Sequence, residues 1–341
     1  MTFIEPTHDA TVHVHYPISD GRIVLRCDPD WDTDLDAHEV VDDGQHALFR
    51  VPMHTPYRYF KPVWLRARER LWARGKNYLA VAHAKDDRHI YPYFFADDNC
   101  TLCDVEQLRS SSTSAIYTYR VFTPPGYEEN TLKRYPVLYL QDGQNVFFPS
   151  ESFSGADWRI PETLSLLTDM NVIDKVIAVG IYTQDRERDY TQPGYEDYGR
   201  FVTAQLKPEI DRSFRTLTDP VDTALMGASL GGVVSLYLAW QWPEVFGNVA
   251  CLSSTFGWRD DLYERLAAES RRRLRFYLDS GWPQDNYEVT RDMQALLRSR
   301  GYALGRDLLY FAFPGAAHHE TAWALRSHLP FQFLFGAGRS T

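Results

Sequence analysis

The chain has 341 residues and a formal net charge of −10, and its hydrophobic (44%) and charged (24%) shares are those of a globular protein. These figures exclude an extended disordered chain, and the acidic balance argues against a nucleic-acid or anionic-membrane partner, because such surfaces attract Lys and Arg. The expected partner is a small-molecule substrate.

The first residues, Met1 to Pro6, carry neither a basic segment nor an apolar run, and no stretch approaches the roughly 20 apolar residues of a membrane helix. A cytoplasmic setting is the simplest expectation. From about Thr11 to Phe95, short alternating runs such as Val12 to Tyr16 and Arg22 to Arg26 are separated by turn clusters (Asp28-Pro29-Asp30, Asp42-Asp43-Gly44), the pattern of a small antiparallel β-sandwich. Cys100 and Cys103 form a lone C-x-x-C without further ligands nearby, so incidental thiols are expected rather than a metal site. The serine-rich run Leu108 to Ser114 reads as a linker, which divides the chain into residues 1–112 and 113–341.

Beyond it, strand-like and helix-like segments alternate. Ala115 to Phe122, Val137 to Leu140, Val176 to Ile181, Thr223 to Met226, Val249 to Leu252, Arg275 to Leu278 and Leu308 to Phe311 read as strands, with helical periodicity at Val233 to Trp240 and Thr290 to Arg300. That alternation predicts a mostly parallel sheet covered by helices.

The sharpest local signal is Gly227-Ala228-Ser229-Leu230-Gly231, followed by Gly232, set between an apolar strand and a helical segment. This is the context of a nucleophile elbow, in which small residues let a strained turn project the serine hydroxyl at a helix N-terminus. In a fold built around such an elbow, an acid and then a histidine follow the serine in the chain. Of the 11 histidines only His318, His319 and His328 follow Ser229, and His328 falls inside the helical pattern Thr321 to Leu329. His318 and His319 occupy the loop after the last strand, and spacing leaves them nearly even. The acid belongs on the loop after Arg275 to Leu278, where Asp279, Asp285 and Glu288 are candidates. Asp285 is favoured because it stands far enough along the loop to reach over the sheet edge and hold an imidazole. Two backbone donors must face a developing oxyanion, and the amides of Leu230 and Gln144 are assigned to that task, the latter from the loop Gln141 to Asn145.

At Tyr135 to Phe147, at the elbow Met226 to Gly232 and at Gly315 to Trp323, with further likeness at Arg188 to Thr191 and Leu206 to Asp211, the sequence resembles a family of α/β-hydrolase esterases. That family includes enterochelin-esterase-like and feruloyl-esterase-like proteins. The resemblance spans about residues 115 to 337. It implies that the base is the first residue of a His-Asn-Glu-like triplet ahead of a tryptophan, here His318-His319-Glu320 and Trp323, although His stands in place of Asn. The N-terminal half resembles the immunoglobulin-like module that precedes the hydrolase in enterochelin-esterase-like proteins. The expected protein is therefore an α/β-hydrolase preceded by a β-sandwich, a serine esterase working through an acyl-enzyme and needing neither metal nor organic cofactor. Acyl transfer to a sugar or alcohol acceptor and a non-catalytic carbohydrate-binding or scaffold protein on a hydrolase fold are the alternatives. Trp158, Arg159, Arg186, Arg188, Trp258, Arg259 and Trp282 are expected near the sheet's carboxyl edge, where rings and guanidinium groups would suit an aryl or anionic acyl group.

Overall fold

Alternating apolar residues between Ala10 and Val51 produce the sheets that the sequence suggested. The structure, a computed structural model, describes residues 9–113 and 115–336. The chain packs as two units. The first runs to Thr101 and adds two later segments, Pro124–Lys133 and Thr168–Val172, while the second comprises Leu102–Thr123, Arg134–Leu167 and the chain from Ile173. The serine-rich run is not a linker. Glu106–Arg109 is a strand paired antiparallel with Ile116–Thr123, Leu108 lying opposite Tyr117, and the serines supply the turn, in which Ser110 N donates to Ala115 O at 2.8 Å. Short polar side chains favour a tight turn as readily as a flexible tether, so composition did not separate the two. The units accordingly part near Thr101 rather than at 112/113.

In the first unit, one sheet orders Glu39–Val41, His46–Val51, Ala10–His15 and Arg88–Ile90, and the other orders Arg22–Cys27, Tyr57–Arg66 and Glu69–Trp72, with Tyr78–Val81 also on Tyr57–Arg66. All pairings are antiparallel except Ala10–His15 with Arg88–Ile90. Val12, Val14, Phe49, Ile23, Leu25, Phe60 and Trp64 form its core. The two-residue period of a strand puts His13 and His15 on the opposite face from Val12 and Val14. There they stack with cross-strand neighbours, His13 on His89 (ring centroids 4.3 Å apart) and His15 on His46 (4.4 Å).

The second unit is built on a nine-stranded sheet whose main path is Glu106–Arg109, Ile116–Thr123, Ile177–Tyr182, Val137–Gln141, Thr223–Ala228, Asn248–Leu252, Arg275–Trp282 and Leu308–Pro314. From Ile177–Tyr182 onward every neighbouring pair is parallel. Every residue of Val137–Gln141, Thr223–Ala228 and Asn248–Leu252 is buried, as expected of central strands covered on both faces. The helix Leu230–Gln241 is buried nearly all round and carries an almost wholly apolar sequence. Sequence order reverses at Val137–Gln141, which has Ile177–Tyr182 on one side and Thr223–Ala228 on the other. At such a switch point the loops leaving two adjacent strands turn opposite ways and open a crevice beyond their carboxyl ends. Among the described residues no helix is long and apolar enough to cross a membrane.

Candidate active site

Ser229 stands at this crevice. It follows the strand Thr223–Ala228 and precedes the helix Leu230–Gln241, with φ 57° and ψ −125°, a conformation that costs energy for any residue with a Cβ. Its amide is anchored to Leu252 O at 2.9 Å, while its side chain is half-buried. A Cβ on Gly227 would lie 2.2 Å from Gly231 O, so the turn closes only because glycine stands there. Leu230 N–H opens the helix and therefore has no intrahelical acceptor. Gln144 sits in the single helical turn Gly143–Asn145, directly after the neighbouring strand, and its N–H is likewise in the first turn. Asp142, which begins that turn with φ 57° and ψ 50°, is buried and takes two hydrogen bonds from Arg186, Nε at 2.8 Å and Nη2 at 3.0 Å. Burial raises its carboxyl above the usual value, and Arg186 offsets only part of that rise.

Two strands further along, the acid and the histidine meet. His318 Nδ1 lies 2.6 Å from Asp285 Oδ1. Asp285 is buried and also accepts hydrogen bonds at Oδ2 from Gly281 N (2.7 Å) and Ser253 Oγ (2.6 Å). A Cβ on Gly281 would lie 2.0 Å from Ala316 O and 2.8 Å from Asp285 Cβ, so glycine lets the acid's loop and the histidine's loop approach this closely. Burial pushes the Asp285 carboxyl up, yet the hydrogen bonds from His318, Ser253 and Gly281 outweigh it and hold the group below the usual carboxylate value. Among the described residues no hydrogen bond links Ser229 Oγ to His318; such contacts are commonly long before substrate binds. The other candidates are placed elsewhere. Asp279 is fully buried, bonded to Tyr277 Oη (2.8 Å) and Arg326 Nε (3.0 Å), and burial, only partly offset by Arg326, pushes it up to about 6. Glu288 is exposed in the first turn of the helix Tyr287–Ser299. His319 Nδ1 accepts Thr321 N–H at 3.2 Å and caps the helix Glu320–Arg326, and His328 opens the next helix, His328–Phe335.

Ser253 and Arg326 were not anticipated, and the sequence marks Trp323 only as the tryptophan that follows the histidine triplet. Ser253, just past the strand Asn248–Leu252, receives Trp323 Nε1 at 3.0 Å and Arg326 Nη2 at 2.5 Å, and the Trp323 ring meets His318 edge-to-face with centroids 5.1 Å apart. Trp323 and Arg326, three residues apart, share one helix face.

The expected aromatic and cationic pocket takes a different form. Trp158 is 1% exposed and packs edge-on against Trp323, centroids 5.7 Å apart, so it supports the histidine's surroundings instead of offering a face to solvent. The arginines are engaged within the protein: Arg186 with Asp142, Arg188 with Asp189 at 2.7 Å and Arg259 with Glu187 at 2.9 Å. Arg159 is exposed. Trp258 (45% exposed) and Trp282 (47%) are open to solvent.

A family model described as "Putative esterase" matches residues 110–328. Ferri-bacillibactin esterase BesA of Bacillus subtilis is 25% identical over 212 residues, covering 53% of this chain and 71% of its own. Among solved structures, the enterobactin esterase of Shigella flexneri superposes with a TM-score of 0.56 over 95% of this chain and 92% of its own at 15% identity. A ferulic acid esterase of Anaeromyces mucronatus does so with a TM-score of 0.56 over 68% of this chain and 90% of its own at 19% identity. The elbow, the buried carboxylate held against a histidine and the family match agree, and the chain belongs to this esterase family.

Proposed function

We propose that the second unit hydrolyses carboxylic esters through an acyl-enzyme formed on Ser229. The observation that carries this reading is the buried Asp285–His318 hydrogen bond of 2.6 Å, on the loops that leave the same sheet edge as the Ser229 elbow. Asp285 accepts from His318 Nδ1, so Nε2 keeps its lone pair and serves as the base. In the acylation step Ser229 Oγ attacks the ester carbonyl and its proton passes to His318 Nε2. The amides of Leu230 and Gln144 hold the oxyanion, and the tetrahedral intermediate expels an alkoxide that leaves as the alcohol with the proton from His318. Water, deprotonated by His318, then releases the acid and restores Ser229.

The acyl group proposed is aromatic, of the feruloyl or catecholate kind, by likeness to the ferulic acid esterase and to the siderophore esterases named above. The solvent-exposed indoles of Trp258, one face of which carries the Arg259 guanidinium 5.4 Å from its centroid, and of Trp282 favour such a group, whereas Arg186, Arg188 and Arg259 are engaged with carboxylates, which leaves Arg159 as the exposed guanidinium of the set. The test is labelling with a fluorophosphonate probe followed by a panel of aryl and short alkyl esters. Wild-type protein is expected to label at Ser229 and Ser229→Ala to be unlabelled and inactive; a folded Ser229→Ala protein that still turns over ester removes the assignment. Preference for acetyl over every aryl acyl group removes the substrate class alone.

A further inference from the structure

Behind the acid lies a second buried charge pair that the acyl-enzyme mechanism does not use. Arg326 is 3% exposed; its Nε meets Asp279 Oδ1 at 3.0 Å, and its Nη2 meets Ser253 Oγ at 2.5 Å and Asp285 Oδ2 at 3.5 Å. Asp279 is 0% exposed and takes its remaining hydrogen bond from Tyr277 Oη at 2.8 Å. We infer that Ser253, Arg326 and Asp279 are positioning residues that fix both the tautomer and the basicity of His318.

The hydrogen-bond directions follow from donor counting. Trp323 Nε1–H and Arg326 Nη2–H have only donors to offer, so Ser253 Oγ accepts twice, and its single proton is left to point at Asp285 Oδ2. Gly281 N–H donates to the same oxygen. Oδ2 is thus occupied by two fixed donors, and Oδ1 alone remains for His318, which must present Nδ1–H to it.

The charges follow a similar count. With Asp279 and Asp285 ionised, Arg326 positive and His318 neutral, the cluster carries one net negative charge, and it becomes neutral when His318 takes up the serine proton. A buried cluster that reaches neutrality at that step favours the imidazolium. Asp279 supplies the extra charge. Burial holds its carboxyl near 6, so that charge is withdrawn as the solution becomes mildly acidic. The other ionisable groups on the histidine's loop are His319 and Glu320, whose Oε2 lies 3.9 Å from His319 Nε2; Glu320 also acts on Asp142 and Arg186.

This inference rests on His318 acting as the base, and its test has a readout independent of turnover. His318 is titrated by NMR in full-length Ser229→Ala protein, with and without Asp279→Asn, a substitution that keeps shape and removes charge. Asp279→Asn is expected to move the imidazole titration to lower pH, because one buried negative charge of the cluster is lost. Tyr277→Phe, which removes one hydroxyl that holds Asp279 ionised, is expected to shift it the same way by less. In the enzyme with Ser229 intact, the acid limb of kcat/KM moves to lower pH by the same amounts. Ser253→Ala lowers kcat with little change in KM and broadens the downfield Nδ1–H resonance of His318. Unchanged His318 titration in folded Asp279→Asn and Tyr277→Phe proteins overturns the charge role, and full kcat in Ser253→Ala overturns the orienting role. Should no ester be cleaved and Ser229 remain unlabelled, the functional reading fails, while the NMR titration still decides this one.

Discussion

Replacing Asp285 by Asn tests the acid–base pair most sharply, because the surroundings dictate how the amide must lie. Two donors, Gly281 N–H and Ser253 O–H, converge on Oδ2 at 2.7 and 2.6 Å. An amide NH2 in that position would face the Gly281 N–H donor, leaving two buried polar groups unsatisfied at about 1–3 kcal/mol each. The Asn carbonyl must therefore take the Oδ2 place and its NH2 the Oδ1 place, 2.6 Å from His318 Nδ1. Nδ1 is then forced to accept, the proton moves to Nε2, and that nitrogen can no longer act as the base proposed for Ser229. A wrong tautomer costs about four decades in kcat in serine hydrolysis, about 5.5 kcal/mol of barrier. The assay is kcat/KM on an activated aryl ester, with circular dichroism and thermal unfolding to establish that the variant is folded. Activity of folded Asp285→Asn within about tenfold of wild type, far short of the about 10⁴-fold expected, refutes this chain of reasoning.

His319→Ala should retain most of its activity while losing about 1 kcal/mol, a helix cap, seen as a drop in Tm of a few degrees; an inactive His319→Ala beside an active His318→Ala would reverse the histidine assignment. In the first unit His15 is held down to about 4, first by burial and then by His46, His89, His13 and Lys133, while the Asp87 carboxylate faces His13 at 3.1 Å. The unfolded chain takes up a proton at His15 near 6.5 and the folded one near 4, so between those values the unfolded state binds more protons and stability falls as pH falls. Chemical denaturation of the full chain across that window should show the loss, and His15→Gln should flatten it; equal slopes in both proteins would refute the stacked-imidazole account.

How much was legible in sequence depends on how local the determinant is. The elbow is written into five consecutive residues, with the small residues two before and two after the serine that the turn requires, and a Cβ on Gly227 would lie 2.2 Å from Gly231 O. Asp285 was favoured from its position along the loop, whereas chain order left His318 and His319 nearly even and only the family resemblance singled out His318; the two favoured residues lie together. Ser253 and Arg326, and the role of Trp323 beyond its place in the motif, were missed because each acquires meaning only when strands and helix bring residues 70 and 73 positions apart into contact. That Trp158 is buried and that Arg186, Arg188 and Arg259 are ion-paired was missed for the same reason, since neither burial nor an ion-pair partner can be read from a loop sequence. The helical pattern Thr321 to Leu329 proved to be two helices, Glu320–Arg326 and His328–Phe335, joined at Ser327.

The first unit is assembled from three separate stretches of chain, and this governs the order in which it can form on the ribosome. The Glu129 carboxylate accepts the backbone N–H groups of Phe94 (2.6 Å), Phe95 (2.9 Å) and Ala96 (2.7 Å) and the phenol of Tyr16 (2.9 Å). Asn130 Nδ2 holds His15 O and Pro92 O at 2.9 and 2.7 Å, and Asn171 Nδ2 holds Asn77 O at 3.0 Å. A nascent chain released only as far as Thr101 therefore lacks the groups that tie off its last loop, and by the time translation passes Val172 and supplies them all, the first central strand of the hydrolase sheet, Val137–Gln141, has already been made. A cut of the gene at Thr101 would deliver a sandwich without its clasps and a hydrolase carrying two segments that belong to another core.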